Sequence, residues 1–166
     1  MRRHIAVLLM LGLMPWSGPH AQAPAQTATA TATFIVKTTV QAVCVVSATE
    51  LNFGNYSSGS GPLLGTSVVQ PTCTPGTTYN IKLNGGSAGG SIYGGRQMAS
   101  GANKLNYQLY RDSARANIWG ETTGTDTVQD IGTGVAKSHT VYGTIPGAQA
   151  IPAGNYQDTI TVTISF

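Results

Sequence analysis

The sequence predicts an all-β fold, a sandwich of short antiparallel strands, and three observations carry that reading. The first is the C-terminal stretch. Tyr156, Asp158, Ile160, Val162, Ile164 and Phe166 fall on one face of a strand, and Gln157, Thr159, Thr161, Thr163 and Ser165 on the other. Such alternation matches the two-residue side-chain period of β structure, with one wet face and one core face. The second is that no segment keeps a helical period for three turns, while short apolar runs are separated by turn residues. The third is composition: only 9% of residues are charged and 21 are glycine, the balance of an exported β protein.

The chain opens with a leader. Arg2 and Arg3 form a basic start, Ile5 to Leu13 an apolar run, and Ala23 and Ala25 the small residues of a processing site, with cleavage after Ala23 as the alternative. The run is too short to span a bilayer, so residues 1–25 are expected to be a signal peptide. The rest, 26–166, suits one domain with its own core. It keeps seven Lys or Arg against six Asp or Glu. With a net charge near +1 and no basic cluster, nucleic-acid binding is not expected.

Each element follows in turn. Residues 26–33, QTATATAT, hold nothing large enough to anchor them. Ala32, Phe34, Val36, Thr38 and Val40 then alternate, less cleanly than the C-terminus because Ile35 lies on the other face. Cys44, Val46 and Ala48 form a short strand, and the stretch from Gly54 through Ser57–Pro62 is a loop. Leu64 to Cys73 is a strand that Pro71 restricts to an edge or a bulge. Thr74-Pro75-Gly76 is a turn. Tyr79, Ile81 and Leu83 mark a clear strand, and the glycine-rich residues 84–91 a hairpin loop. Arg96 to Met98 leads to a turn. Leu105, Tyr107 and Leu109 make a strand with Ile118-Trp119-Gly120 as a brief partner. Residues 121–135 read as a long loop, Thr140 to Gly143 as a strand, and Gly154 opens the last one.

Cys44 and Cys73 are an even pair in an exported chain and are expected to be bridged. With His139 the one histidine outside the leader region, they cannot assemble a four-ligand zinc site. Ser138 and His139 are strand neighbours pointing to opposite faces, so they cannot act as nucleophile and base. Asp112 with Arg111 and Arg115 reads as a surface turn with exposed ion pairs, not a catalytic carboxylate. Tyr79, Tyr107, Tyr110, Tyr142 and Tyr156 read as core tyrosines with hydroxyls at the rim rather than a sugar platform, and Trp119 as a core plug, with an exposed adhesive contact as the alternative. No catalytic residue, metal or cofactor is expected.

Several local signatures share one order: Cys44-Val45-Val46-Ser47-Ala48, Leu51-Asn52-Phe53-Gly54, Cys73-Thr74-Pro75-Gly76, Leu105 to Asp112, Val141-Tyr142-Gly143-Thr144-Ile145-Pro146, and Pro152 to Thr159. In that order the chain resembles a spore coat protein U domain, a family similar to the subunits of archaic chaperone–usher pili. The resemblance implies an immunoglobulin-like β-sandwich that is incomplete and completed by a donated strand. It implies a structural pilus subunit with identical or related subunits, a periplasmic chaperone and an outer-membrane usher as partners. Passage would be through the periplasm to the cell surface. Residues 26–41 would be the extension, with Ala32, Phe34, Val36, Thr38 and Val40 as donor strand, and residues 42–166 the pilin domain. Ile160, Val162, Ile164 and Phe166 of the terminal strand would line the acceptor groove. One departure is the C-terminus: better-known chaperone–usher subunits carry an aromatic residue next to last, and here Phe166 is last. The competing reading is a secreted monomeric carbohydrate-binding or adhesive module.

Overall fold

The computed structural model describes Gly18 and residues 26–166. The expected signal peptide therefore falls, Gly18 aside, outside the described residues. The chain divides into two units, Met1–Thr38 and Thr39–Phe166. Of the first, residues 26–38 hold no regular structure and every side chain is exposed, Phe34 at 86% and Val36 at 81%. The alternation there makes no strand within the single chain, since an extended segment needs a partner for its backbone.

The second unit is all β. Its strands are β1 (Cys44–Ala48), β2 (Leu63–Cys73), β3 (Thr78–Leu83), β4 (Arg96–Ser100), β5 (Asn103–Tyr110), β6 (Val128–Ile131), β7 (His139–Ile145) and β8 (Val162–Ser165). They form two sheets, a five-stranded one in the order β1-β2-β7-β5-β4 and a three-stranded one in the order β6-β3-β8. Every ladder is antiparallel. The sheets enclose a core of Val69, Tyr79, Ile81, Leu83, Leu105, Leu109, Trp119, Val141 and Ile145. Tyr79, Ile81 and Leu83 supply the β3 share of it, and the fully buried Trp119 donates its indole N–H to the Ile81 carbonyl at 2.9 Å.

Six sequence expectations change, two of them at strand bounds: Arg96–Ser100 is itself strand β4, and the last strand covers Val162–Ser165 rather than opening at Gly154. Strand β2 is interior, not an edge: it pairs with β1 on one side and β7 on the other. Pro71 is tolerated because the β7 ladder ends at Val69↔His139. Beyond that point the Pro71 carbonyl accepts the Lys137 N–H, so the missing donor faces a flank with no strand. Residues 84–91 are no hairpin loop, because β3 and β4 lie in different sheets and the loop crosses between them. The supposed loop 121–135 contains β6, whose VQDI sequence carries too little apolar character to signal a strand. Strand β7 runs on to Ile145 rather than stopping at Gly143.

The polar expectations shift too. The Asp112 carboxylate accepts the backbone N–H groups of Ala116 and Asn117, at 3.1 and 2.7 Å, instead of pairing with arginine. Those amide bonds hold its pKa below the usual carboxylate range. Arg111 donates to the Thr127 carbonyl, and Arg115 lies 5.7 Å over the Tyr142 ring. Ser138 accepts a bond from Gln70, while His139 meets the Tyr79 hydroxyl, so the two neighbours serve different faces as expected.

Candidate functional site

The ends of the two sheet orders define the site. Strand β1 is an edge of the five-stranded sheet, and β8 is an edge of the three-stranded one. The two come into contact, yet no ladder joins them.

Residues directly opposite in an antiparallel ladder share a face. On β1, Val46 faces Pro71 and Ala48 faces Val69. Pro71 and Val69 are buried, so Val46 and Ala48 point to the core side, yet both are exposed, Val46 at 39%. On β8, Val162 faces Leu83 and Ile164 faces Ile81, and again the β3 partners are fully buried while the β8 residues are only half covered. Both edges thus present core-side residues that nothing in the described chain covers fully.

Between them lies an open cleft of about 470 Å³. Its walls are Ala48 to Leu51 on the β1 side and Tyr156 to Ile160 with Val162 on the other. Its floor holds Val69, Leu83, Leu109 and Val141, core residues of both sheets. At each rim of this apolar floor a strand edge leaves backbone N–H and C=O groups open to pairing with another strand.

The sequence placed Ile160, Val162, Ile164 and Phe166 here. Ile160 and Val162 line the cleft. Ile164 packs on the core beside it. Phe166 does not join them: it lies one residue past the last ladder pair, Asn80↔Ser165, and is 60% exposed. Without a ladder to fix its face, the ring has no core side to occupy. The inward set upstream is sound, since residues 156, 158, 160, 162 and 164 are half-buried and 157, 159, 161 and 163 exposed.

Two struts hold the cleft walls, and sequence reasoning missed both. Asp158 stands among the apolar residues of the C-terminal face. Its carboxylate accepts the Ser87 and Ala88 N–H groups at 2.7 and 3.0 Å and the Tyr107 hydroxyl at 2.6 Å. Burial, then this carboxylate, raise the Tyr107 pKa far above its ordinary value, so the hydroxyl stays a donor. A carboxylate inside an alternating apolar set was the available signal. Gly86 makes room for it: its φ is +91°, and a Cβ there would collide with the Asp158 carboxylate.

The second strut is Arg96, fully buried at the start of β4. Its guanidinium donates to the carbonyls of Asn84, Leu83 and Trp119 and to Gln108 Oε1, at 2.8, 3.1, 2.6 and 2.6 Å. It therefore ties the five-stranded sheet to the end of β3. Burial lowers its pKa, against the pull of Tyr107 and Asp158. Nothing in a lone Arg-Gln-Met triplet marks such a role.

The Cys44–Cys73 disulfide closes the far end of β1, with the two residues directly paired in the β1–β2 ladder. No group of three or more potential metal ligands occurs among the described residues.

A family model for the Spore Coat Protein U domain matches residues 30–163. The chain belongs to that family. Protein U of Myxococcus xanthus is 37% identical to it over 162 residues, covering 88% of this chain and 90% of that protein. Among solved structures, the chain is similar to one in the CsuC–CsuE chaperone–tip adhesion subunit pre-assembly complex from the archaic chaperone-usher Csu pili of Acinetobacter baumannii. The TM-score is 0.54 and the identity 28%, over 77% of this chain and 40% of that one. The sandwich is thus immunoglobulin-like, as in that pilus subunit, and this family member spans about 40% of the solved chain's length.

Proposed function

We propose that this spore coat protein U domain is a structural subunit of a chaperone–usher pilus, polymerising when the extension of one copy fills the cleft of the next. The observation that carries the reading is the pair of half-covered edges, β1 and β8, around an apolar floor. Strand addition at such an edge joins backbone groups and inserts alternate side chains between the sheets. The segment Ala32, Phe34, Val36, Thr38 and Val40 is the donor: it alternates, is unpaired, and exposes Phe34, Val36 and Val40 by 80% or more. Each large side chain so buried contributes about 1.5–3 kcal/mol to the junction.

On this reading a periplasmic chaperone covers the cleft before assembly, an outer-membrane usher conducts the subunit outward, and a signal peptide starts the route. Similarity to a subunit solved in a chaperone complex supports the first of these. The test is negative-stain microscopy of surface material from cells making the protein, with antibody against it. Thin fibres decorated along their length are expected. Antibody confined to soluble, dispersed monomer would favour the adhesive-module reading instead.

A further inference from the structure

The cleft has a built-in stop. In the β2–β7 ladder Gly65 pairs with Gly143, both on the core face, leaving a patch of that sheet without side chains. Leu51 and Phe53 occupy it. A Cβ at Gly143 would lie 2.7 Å from Phe53 Cζ and 2.9 Å from Leu51 Cδ1, and one at Gly65 would lie 2.9 Å from Leu51 Cδ2. The Phe53 ring also meets the Tyr107 ring edge-on, with centroids 6.3 Å apart. The β1–β2 ladder ends at Ala48↔Val69, just before this point, and the Asn52 side chain turns the chain at Gly54, where φ is +73°.

Beyond the plug a hollow of about 660 Å³ opens between the five-stranded sheet and the segments 50–58 and 151–157. Leu51, Phe53, Met98 and Tyr156 line both that hollow and the cleft. They form a waist that stands between the two openings.

We infer that Leu51 and Phe53, seated on the Gly65–Gly143 pair, are specificity-determining residues that fix how much of a neighbour's extension the cleft accepts. This rests on the polymerisation reading. Upstream of the waist β1 offers an edge of five residues with no described strand on its outer flank, about 17 Å at 3.3–3.4 Å per residue, of which Ala48 borders the cleft itself. Its core-side positions are Cys44, Val46 and Ala48. A partner strand of that length inserts three alternate side chains. The extension offers five, Ala32, Phe34, Val36, Thr38 and Val40, so two remain outside the cleft.

The experiment is an aspartate scan of those five positions in the full chain, expressed in its own host and read as SDS-resistant multimers. A carboxylate forced into the cleft is not tolerated, whereas one outside it is. Three consecutive positions are expected to abolish multimers and two to leave them within twofold of wild type. Adding Leu51→Ala, which widens the waist while keeping the Phe53 ring, should make a fourth position sensitive. Four or five sensitive positions in the otherwise wild-type chain would overturn the stop, showing that the plug moves aside. No sensitive position at all would overturn the polymerisation reading itself. The wild-type scan decides the matter even if the Leu51→Ala chain fails to fold.

Discussion

Strands β3 and β8 carry the same kind of sequence, alternate apolar residues against polar ones, and they lie side by side. Their fates differ. Strand β3 is paired on both flanks, by β6 and β8, and its Tyr79, Ile81 and Leu83 are buried to 1% exposure or less. Around it Trp119 and Arg96 close the space, the one by filling it and the other by satisfying carbonyls where the strand ends. Strand β8 has β3 on one flank and no described strand on the other, and Val162 and Ile164 stay half covered. An amphipathic strand thus specifies which face is apolar. Whether that face becomes core depends on its neighbours, and among the described residues β8 pairs with β3 alone.

That contrast can be broken at the closed end first. Trp119→Ala should destabilise the domain by about 3–5 kcal/mol, because truncating a fully buried aromatic leaves a cavity. Val162→Ala should cost the single domain about 1 kcal/mol or less, since the side chain is already half in water. Urea unfolding followed by circular dichroism checks both. Equal losses would mean that β8 is as much core as β3.

Next comes the staple on β1, the other open edge. Removing the disulfide with Cys73→Ser frees a span of 29 residues and should cost about 3–4 kcal/mol on the chain-entropy model. Intact mass under non-reducing conditions should show the wild-type chain two hydrogens light. Two alkylatable thiols would contradict this.

The smallest effect is electrostatic and lies at the closed end, where His139 meets the Tyr79 hydroxyl and Asp130 also binds Lys137 at 2.6 Å. Burial lowers the His139 pKa, outweighing the pull of Asp130. Burial pushes the Asp130 carboxyl up, but its bonds from Lys137 and the Ile131 N–H, with the charge of His139, hold it lower overall. For His139 the unfolded chain takes up the proton first, so stability is full above about pH 6.5 and falls as the pH drops below it. Asp130 and Asp112 add a second fall below the ordinary carboxylate range. His139→Gln should remove the upper fall and keep the lower one, as read by unfolding midpoints across pH. An unchanged upper fall would reassign it to another group.

The sandwich itself was legible because its strands alternate strictly. Tyr79, Ile81 and Leu83 and the residues 156–164 announce their faces without help from context. Strand β6 was not legible, since its short VQDI sequence becomes a strand only through the β3 backbone beside it. Phe166 was misplaced because alternation says nothing about where a ladder stops. The cleft was legible on its β8 wall, where Ile160 and Val162 were named from sequence. Its β1 wall was hidden, because Val46 and Ala48 take on meaning only from the buried residues they face. Arg96 and the Gly65–Gly143 pair were beyond sequence reading altogether, for each acts through partners far away in the chain.

The central claim, that an exposed alternating segment of one copy completes the cleft of another, is tested most directly by the double variant Phe34→Asp/Val36→Asp. The first ladder contacts of the folded unit begin at Val43, whose backbone bonds Thr74, so the variant should still fold, be exported and remain soluble with its chaperone. Two buried, unpaired carboxylates at the junction should abolish SDS-resistant multimers on a gel of unboiled surface protein. Wild-type multimers from the double variant would contradict the account, as would a chain that misfolds even with chaperone present, since the segment would then be a strand of its own sandwich.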